Sequence, residues 1–167
     1  MANSIATWFA NNWGQHVSPY FIIFFVSLLP ILELRGGLIV ASLLHVPMWS
    51  AIPFCVIGNI LPIPFILLLI NRIFGMLKKT KHFKKPIEKI EARAMKKSSG
   101  IQNGEFWGLV AFVGIPLPGT GAWTGSLIAS LLGVDRKKAF LAVLLGIAIA
   151  CVIMCFVSYG LIGKAIR

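Results

Sequence analysis

Charge is scarce in this chain of 167 residues and acid scarcer still: 13% is charged, with only five Asp+Glu. A soluble domain carries about 25% charged and about 45–50% apolar residues. A hydrophobic share of 57% and a mean hydropathy of +0.86 therefore exclude an ordinary cytosolic protein, and a disordered or collagen-like chain with it. Cysteine is rare as well. Cys55, Cys151 and Cys155 lie inside apolar runs with no His or acid near them in sequence, and such thiols pack as small buried hydrophobes. Met1 to Pro19 holds no Lys or Arg, so it lacks the basic start of a signal peptide. Trp8, Phe9 and Trp13 suggest a short interfacial helix there. His16, His45 and His82 stand apart from one another. No nucleophile–base motif, Walker loop or metal-ligand spacing occurs, so neither an enzyme nor a metal or other cofactor is expected. What remains is an integral membrane protein, built as one membrane domain.

The cations are concentrated. Sixteen Lys+Arg give a formal charge of +11, and nine of them fall between Lys78 and Lys97. In a soluble protein that excess would suggest nucleic acid. Here it is a local block between apolar stretches, and its first reading is topological. Phe83, Ile87, Ile90 and Ala94 recur at helical spacing within it, as in an amphipathic helix lying on an anionic inner leaflet. No recognition motif or stacking aromatic cluster supports a nucleic-acid partner.

Two apolar blocks flank this bridge. Gly36 to Asn71 runs 36 residues without a charge, and Ala139 to Ile162 runs 24, about 36 Å of helix at about 1.5 Å per residue. The latter predicts a spanning helix. Phe106 to Gly133 is uncharged too, but Pro116, Pro118, Gly119 and Gly121 break it near its middle. Each arm then reaches about the bilayer midplane, as in a re-entrant hairpin. Sliding the sequence by 88 residues pairs Phe24 with Phe112, Pro30 with Pro118, Gly37 with Gly125, Ala41–Leu44 with Ala129–Leu132, and Gly58 with Gly146. In all, 12 of 52 aligned positions are identical without a gap. The expected architecture is all-α, an inverted repeat of two units, each a re-entrant hairpin followed by a transmembrane helix. The expected divisions are an interfacial N-terminus at 1–18, repeat 1 at 19–76, a basic cytoplasmic linker at 77–105 and repeat 2 at 106–164. This arrangement places the linker and Arg136-Lys137-Lys138 on one face, obeying the positive-inside tendency. Four full spans, which would put Arg136–Lys138 outside, is the alternative.

Few residues could carry chemistry. Glu33 and Arg35 follow Pro30 in an otherwise uncharged stretch, beside Gly36 and Gly37. A charge at the bilayer centre costs about 2.5–3.5 kcal/mol on insertion scales, so it calls for a partner or a function. One reading is an ion pair, Glu33 with Arg35 or Arg72, that pins the hairpin tip. The other is a binding or proton-coupling acid beside a cation suited to phosphate. The second tip offers Pro116, Pro118, Gly119, Thr120, Gly121, Trp123 and Thr124, with a half-helix expected to start near Thr120 or Gly121. Its free N–H groups could hold an anion, or its glycines could serve only close packing. Asn59, with Pro62 and Pro64, could kink the first span and leave a polar opening. Arg72 is expected near the inner membrane surface.

Glu33-Leu-Arg-Gly-Gly37, Gly58-Asn-Ile-Leu-Pro-Ile-Pro64 and Pro116-Leu-Pro-Gly-Thr-Gly-Ala-Trp-Thr-Gly125 together resemble the bacterial small multidrug export protein family, over most of the chain. The pattern is similar, more distantly, to the DedA/VTT group, whose resemblance implies opposed re-entrant hairpins and movement of lipid carriers or phospholipids. It departs from that group in the second hairpin, where Ile115 to Gly125 lacks the arginines that usually flank the Pro-Gly turn. A phosphate site implied by the resemblance therefore rests on Arg35, Arg72 and backbone donors. The expected function is translocation of an amphipathic, anionic lipid-like substrate across the bacterial cell membrane, proton-coupled through Glu33. Export of hydrophobic cationic drugs and a non-transporting scaffold are the alternatives. Membrane lipids, a small amphipathic substrate and a second copy of the chain are the expected partners.

Overall fold

The structure, a computed structural model, describes residues 18–96 and 105–162. The interfacial helix expected around Trp8 and Trp13 lies outside those residues. Helix α1, Pro19–Leu28, begins on a proline whose missing N–H costs nothing in a first turn. It stops at Leu29, whose ψ of 134° is extended, because the residue before Pro30 is crowded out of helical geometry. Helix α2, Glu33–Leu43, then resumes. Helix α3, Met48–Ile60, follows Pro47, and a turn at Leu61 separates it from α4, Pro62–Lys78. Leu61 itself keeps helical backbone angles, φ −53° and ψ −43°, and its N–H donates to the Ile57 carbonyl at 3.0 Å. Basic helix α5 covers Lys81–Lys96. The second half of the chain repeats the plan with α6, Glu105–Gly114, α7, Ala122–Leu131, and α8, Arg136–Cys155, which passes into a π-helical segment, Phe156–Ile162.

Two stretches, Met48–Lys78 with 31 residues and Arg136–Gly160 with 25, are long and apolar enough to cross a membrane. Only 39% and 44% of their most apolar windows are buried within the chain. A core helix of a soluble protein would be mostly covered. Here Phe65, Leu141, Val152 and Phe156 stay exposed, and that surface needs a non-aqueous surrounding. The chain is an all-helical membrane protein among its described residues.

The chain forms two compact units, residues 1–61 with 147–167, and residues 62–146. In the first, α1, α2 and α3 pack on one another and the π-helical segment packs on α2. Ile22, Val26, Leu32 and Val40 form its buried cluster. In the second, α4 packs on α5 and α7, α5 also on α7, and α6 on α7. Both spanning stretches are divided between the units, at 61/62 and at 146/147. Each unit thus combines a run of helices from one part of the chain with part of a candidate span from the other.

Corresponding positions also share local geometry. Helix α2 ends with His45 N–H donating to the Ser42 carbonyl (3.2 Å) and Val46 N–H to the Ala41 carbonyl (3.0 Å). Eighty-eight residues on, Gly133 N–H donates to Ser130 (3.3 Å) and Val134 N–H to Ala129 (3.0 Å). Both are Schellman endings, with His45 (φ 54°) and Gly133 (φ 73°) in the left-handed position. The second arms are pinned alike. Ser42 Oγ donates to the Ser158 carbonyl at 2.8 Å in one unit, and Asn71 Nδ2 to the Ser130 carbonyl at 2.9 Å in the other.

Candidate functional site

The break between α1 and α2 is where the first unit departs most from regular helix. Glu33 N–H donates to the Leu29 carbonyl (2.9 Å), closing a short tip over Pro30, Ile31 and Leu32. Pro30 is exposed and Ile31 is 90% exposed, whereas Glu33 is buried at 5% exposure. Glu33 also adopts φ 51°, a left-handed backbone that a side chain with Cβ enters only at a cost of about 1–2 kcal/mol. Burying a carboxylate on a strained backbone in an apolar unit is expensive twice over, and such outliers gather at functional positions. Two features offset the cost. Glu33 opens α2, so its charge meets the positive end of the helix dipole. It also interacts electrostatically with half-buried Arg35, so the two charges singled out in the sequence act on each other.

Behind this tip the helices cross on glycine. A Cβ on Gly37 would lie within 1.9 Å of Ser27 Oγ and 3.0 Å of Cys55 Sγ. One on Gly58 would lie 2.5 Å from the Phe24 carbonyl oxygen. One on Gly36 would meet Leu32 Cβ at 2.6 Å. These glycines let α1, α2 and α3 approach closely. The crossing is not fully apolar. Asn59 Oδ1, next to Gly58, is buried without a hydrogen-bond partner, the residue at 3% exposure, while Ser27 Oγ, next to Gly37, has the Cys55 thiol beside it. Such an atom costs about 1–3 kcal/mol, so Asn59 marks a place where water or a substrate group would be welcome. Ser27 escaped the sequence reading, because a lone serine in an apolar run carries no signal.

The second tip is built differently. Gly119 (φ 78°) and Gly121 (φ 135°) take backbone conformations that favour glycine, and α7 starts at Ala122. Thr120 closes the loop: its hydroxyl donates to the Leu117 carbonyl (2.8 Å), with the Ile115 carbonyl also in reach (3.0 Å), and accepts the Leu117 N–H (3.3 Å). Pro118 and Gly119 are exposed, while Pro116, Trp123 and Thr124 are half-buried. Gly125 and Gly146 approach α6, with would-be Cβ atoms 2.7 Å and 2.6 Å from Val113. They are the counterparts of Gly37 and Gly58, and they face the first arm of their own hairpin in the same way.

Each unit also carries a recess. In the first unit an apolar cavity of about 540 Å³ is lined by residues that include Trp49, Phe156 and Tyr159. The Tyr159 hydroxyl donates to the Val46 carbonyl at 3.0 Å. In the second unit exposed Arg72 lines a polar pocket of about 200 Å³ with Asn71, Ser130 and Arg136.

A profile of the family described as "Putative small multi-drug export protein" matches residues 33–153. The chain belongs to this family. The match begins on Glu33 and takes in Asn59, Arg72 and the whole second tip. No curated protein and no solved structure matches the chain. The small multi-drug export name points to membrane transport rather than catalysis.

Proposed function

We propose that this chain is a membrane transporter that moves an amphipathic, anionic lipid-like substrate, with Glu33 exchanging a proton and Arg35 attracting the anionic head. The observation that carries the reading is Glu33 itself, buried and left-handed at the break of a helical hairpin. In this reading both hairpins are re-entrant and enter from opposite faces of a bacterial plasma membrane, with the basic linker inside and two copies enclosing the path. The second unit's geometry supports the topology. The Asn71–Ser130 bond sets the last turns of α4 beside the end of α7, so Lys78 and Asp135 belong to one end of that unit. Reconstituting the chain in liposomes and following a labelled polyprenyl phosphate or phospholipid between leaflets tests the proposal. Faster exchange that responds to a pH gradient and is lost in Glu33→Gln is expected. Exchange no faster than in empty liposomes, with and without the gradient, refutes it.

The family name and the aromatic-lined apolar cavity favour a second reading, export of hydrophobic cations with Glu33 as counter-charge. Cells producing the chain would then gain resistance to quaternary ammonium compounds and lose it with Glu33→Gln. Unchanged resistance in both removes this reading.

A further inference from the structure

The second unit holds a cationic pocket that the transport site does not use. Pro64, Leu67, Leu68, Asn71 and Arg72 recur at helical spacing and form one stripe on α4, about 12 Å long at about 1.5 Å per residue. Its chemistry changes along the way. At one end Asn71 and Arg72 join Ser130 and Arg136 in the polar pocket of about 200 Å³. At the other, Pro64, Leu67 and Leu68 join Phe140 and Lys137 in an apolar groove of about 290 Å³. Leu67, Leu68 and Arg136 line both, so pocket and groove are continuous. The linings hold Arg72, Arg136 and Lys137 and no carboxylate. The nearest acid in sequence, Asp135, is engaged elsewhere: its Oδ1 accepts the Lys138 N–H at 3.0 Å and caps α8. Two guanidinium groups that share a pocket repel each other unless an anion joins them, and the guanidinium fork matches phosphate. Arg72 stands six residues before the end of α4, about 9 Å from the last residue of a candidate span, the depth of a headgroup.

We propose that Arg72 and Arg136 bind the phosphate of an anionic phospholipid whose acyl chain lies in the groove of Pro64, Leu67, Leu68 and Phe140. The proposal rests on the transport reading only in taking this end of the unit to lie at a membrane surface. The lipid is a resident ligand and need not be the transported substrate. A free phosphate would satisfy the arginines but leave the groove without a role.

Native mass spectrometry on the purified full-length chain tests this, titrating phosphatidylglycerol against phosphatidylcholine of the same acyl chains. The wild type binds phosphatidylglycerol preferentially. R72Q/R136Q loses that preference by about tenfold or more, the worth of a charge-assisted hydrogen bond, while K138Q, on the same exposed turn but lining neither recess, keeps it. Leu68→Trp, which fills the groove and leaves the arginines in place, lowers phosphatidylglycerol binding without lowering binding of inorganic phosphate. Equal binding by wild type and R72Q/R136Q overturns the proposal, as does an equal loss in K138Q. Displacement of the lipid by equimolar inorganic phosphate assigns the pocket to a free anion and overturns the lipid. Circular dichroism checks that each variant is folded, and Leu68→Trp decides the matter if R72Q/R136Q is not. Binding that persists when lipid exchange fails removes the transport reading alone.

Discussion

Replacing Gly58 by alanine puts a methyl group 2.5 Å from the Phe24 carbonyl oxygen, where ordinary contact begins at 3.4 Å. The obstacle is backbone, so a side-chain rotation cannot relieve it, and α1 and α3 must separate by close to an ångström. Overpacking of this kind costs about 1–3 kcal/mol, and the better helix propensity of alanine returns about 1 kcal/mol. A net loss of up to about 2 kcal/mol follows, which at about 2–4 °C per kcal/mol lowers Tm by as much as several degrees. Gly75 is the control, because nothing lies within 4 Å of its would-be Cβ and Gly75→Ala should hold or raise Tm. Gly37→Ala adds a diagnostic. Its methyl collides with Ser27 Oγ, so Ser27→Ala in the same chain should restore part of the lost stability. The double-mutant cycle should show coupling of about 0.5–3 kcal/mol. Thermal unfolding of detergent-solubilised protein, followed by circular dichroism, measures the wild type and all five variants. Gly58→Ala as stable as Gly75→Ala, or an additive cycle at positions 27 and 37, would refute the close helix crossing.

Glu33→Gly relieves a left-handed backbone and a buried charge, so it should raise stability by about 1 kcal/mol while abolishing transport; retained transport would sink the role of the acid. His45→Gly should stabilise the Schellman ending by about 1 kcal/mol, and Gly133→Ala, with open space around it, should cost about as much by backbone strain alone. Tyr159→Phe removes the bond to the Val46 carbonyl and should cost about 0.5–1.5 kcal/mol, read in the same melts. Cysteines placed singly at Lys85 and Lys137, in a background without the native three, should react with an impermeant thiol reagent from the same side of the membrane. Labelling from opposite sides would overturn the topology.

The punctuation of the fold was legible because proline and glycine act locally. Pro30 stops α1, Pro62 and Pro64 open α4 after the turn at Leu61, and Gly121 precedes α7. The expected second span, Ala139 to Ile162, starts three residues earlier because Asp135 caps the helix at Arg136, and its end changes to π-helical geometry. Glu33 and Arg35 stood out as charges in an apolar run. The left-handed backbone of Glu33 did not, since glutamate has no particular liking for that region and tertiary packing imposes it. Nor did Arg136 stand out as more than a topological charge. Its meeting with Arg72 depends on α4 and α7 lying side by side, and no spacing within either segment encodes that. The glycines paired by the 88-residue offset were visible as identities, but that each faces the first arm of its own hairpin emerges only from the packing.

The division of each spanning stretch between the units has a consequence for how the chain is made. The first unit draws α1, α2 and α3 from its early residues but closes on residues 147–162, through Ser42 with Ser158 and Val46 with Tyr159. Those contacts join positions more than a hundred residues apart, and the loop between them contains the entire second unit. During synthesis the early hairpin emerges without its final partner, whereas residues 62–146 can complete their own packing first. The ribosome must therefore deliver residues 158 and 159 before the first unit can make these closing contacts. A stop codon after residue 146 would leave the later unit whole and the earlier one open, exposing its unfinished face to membrane quality control.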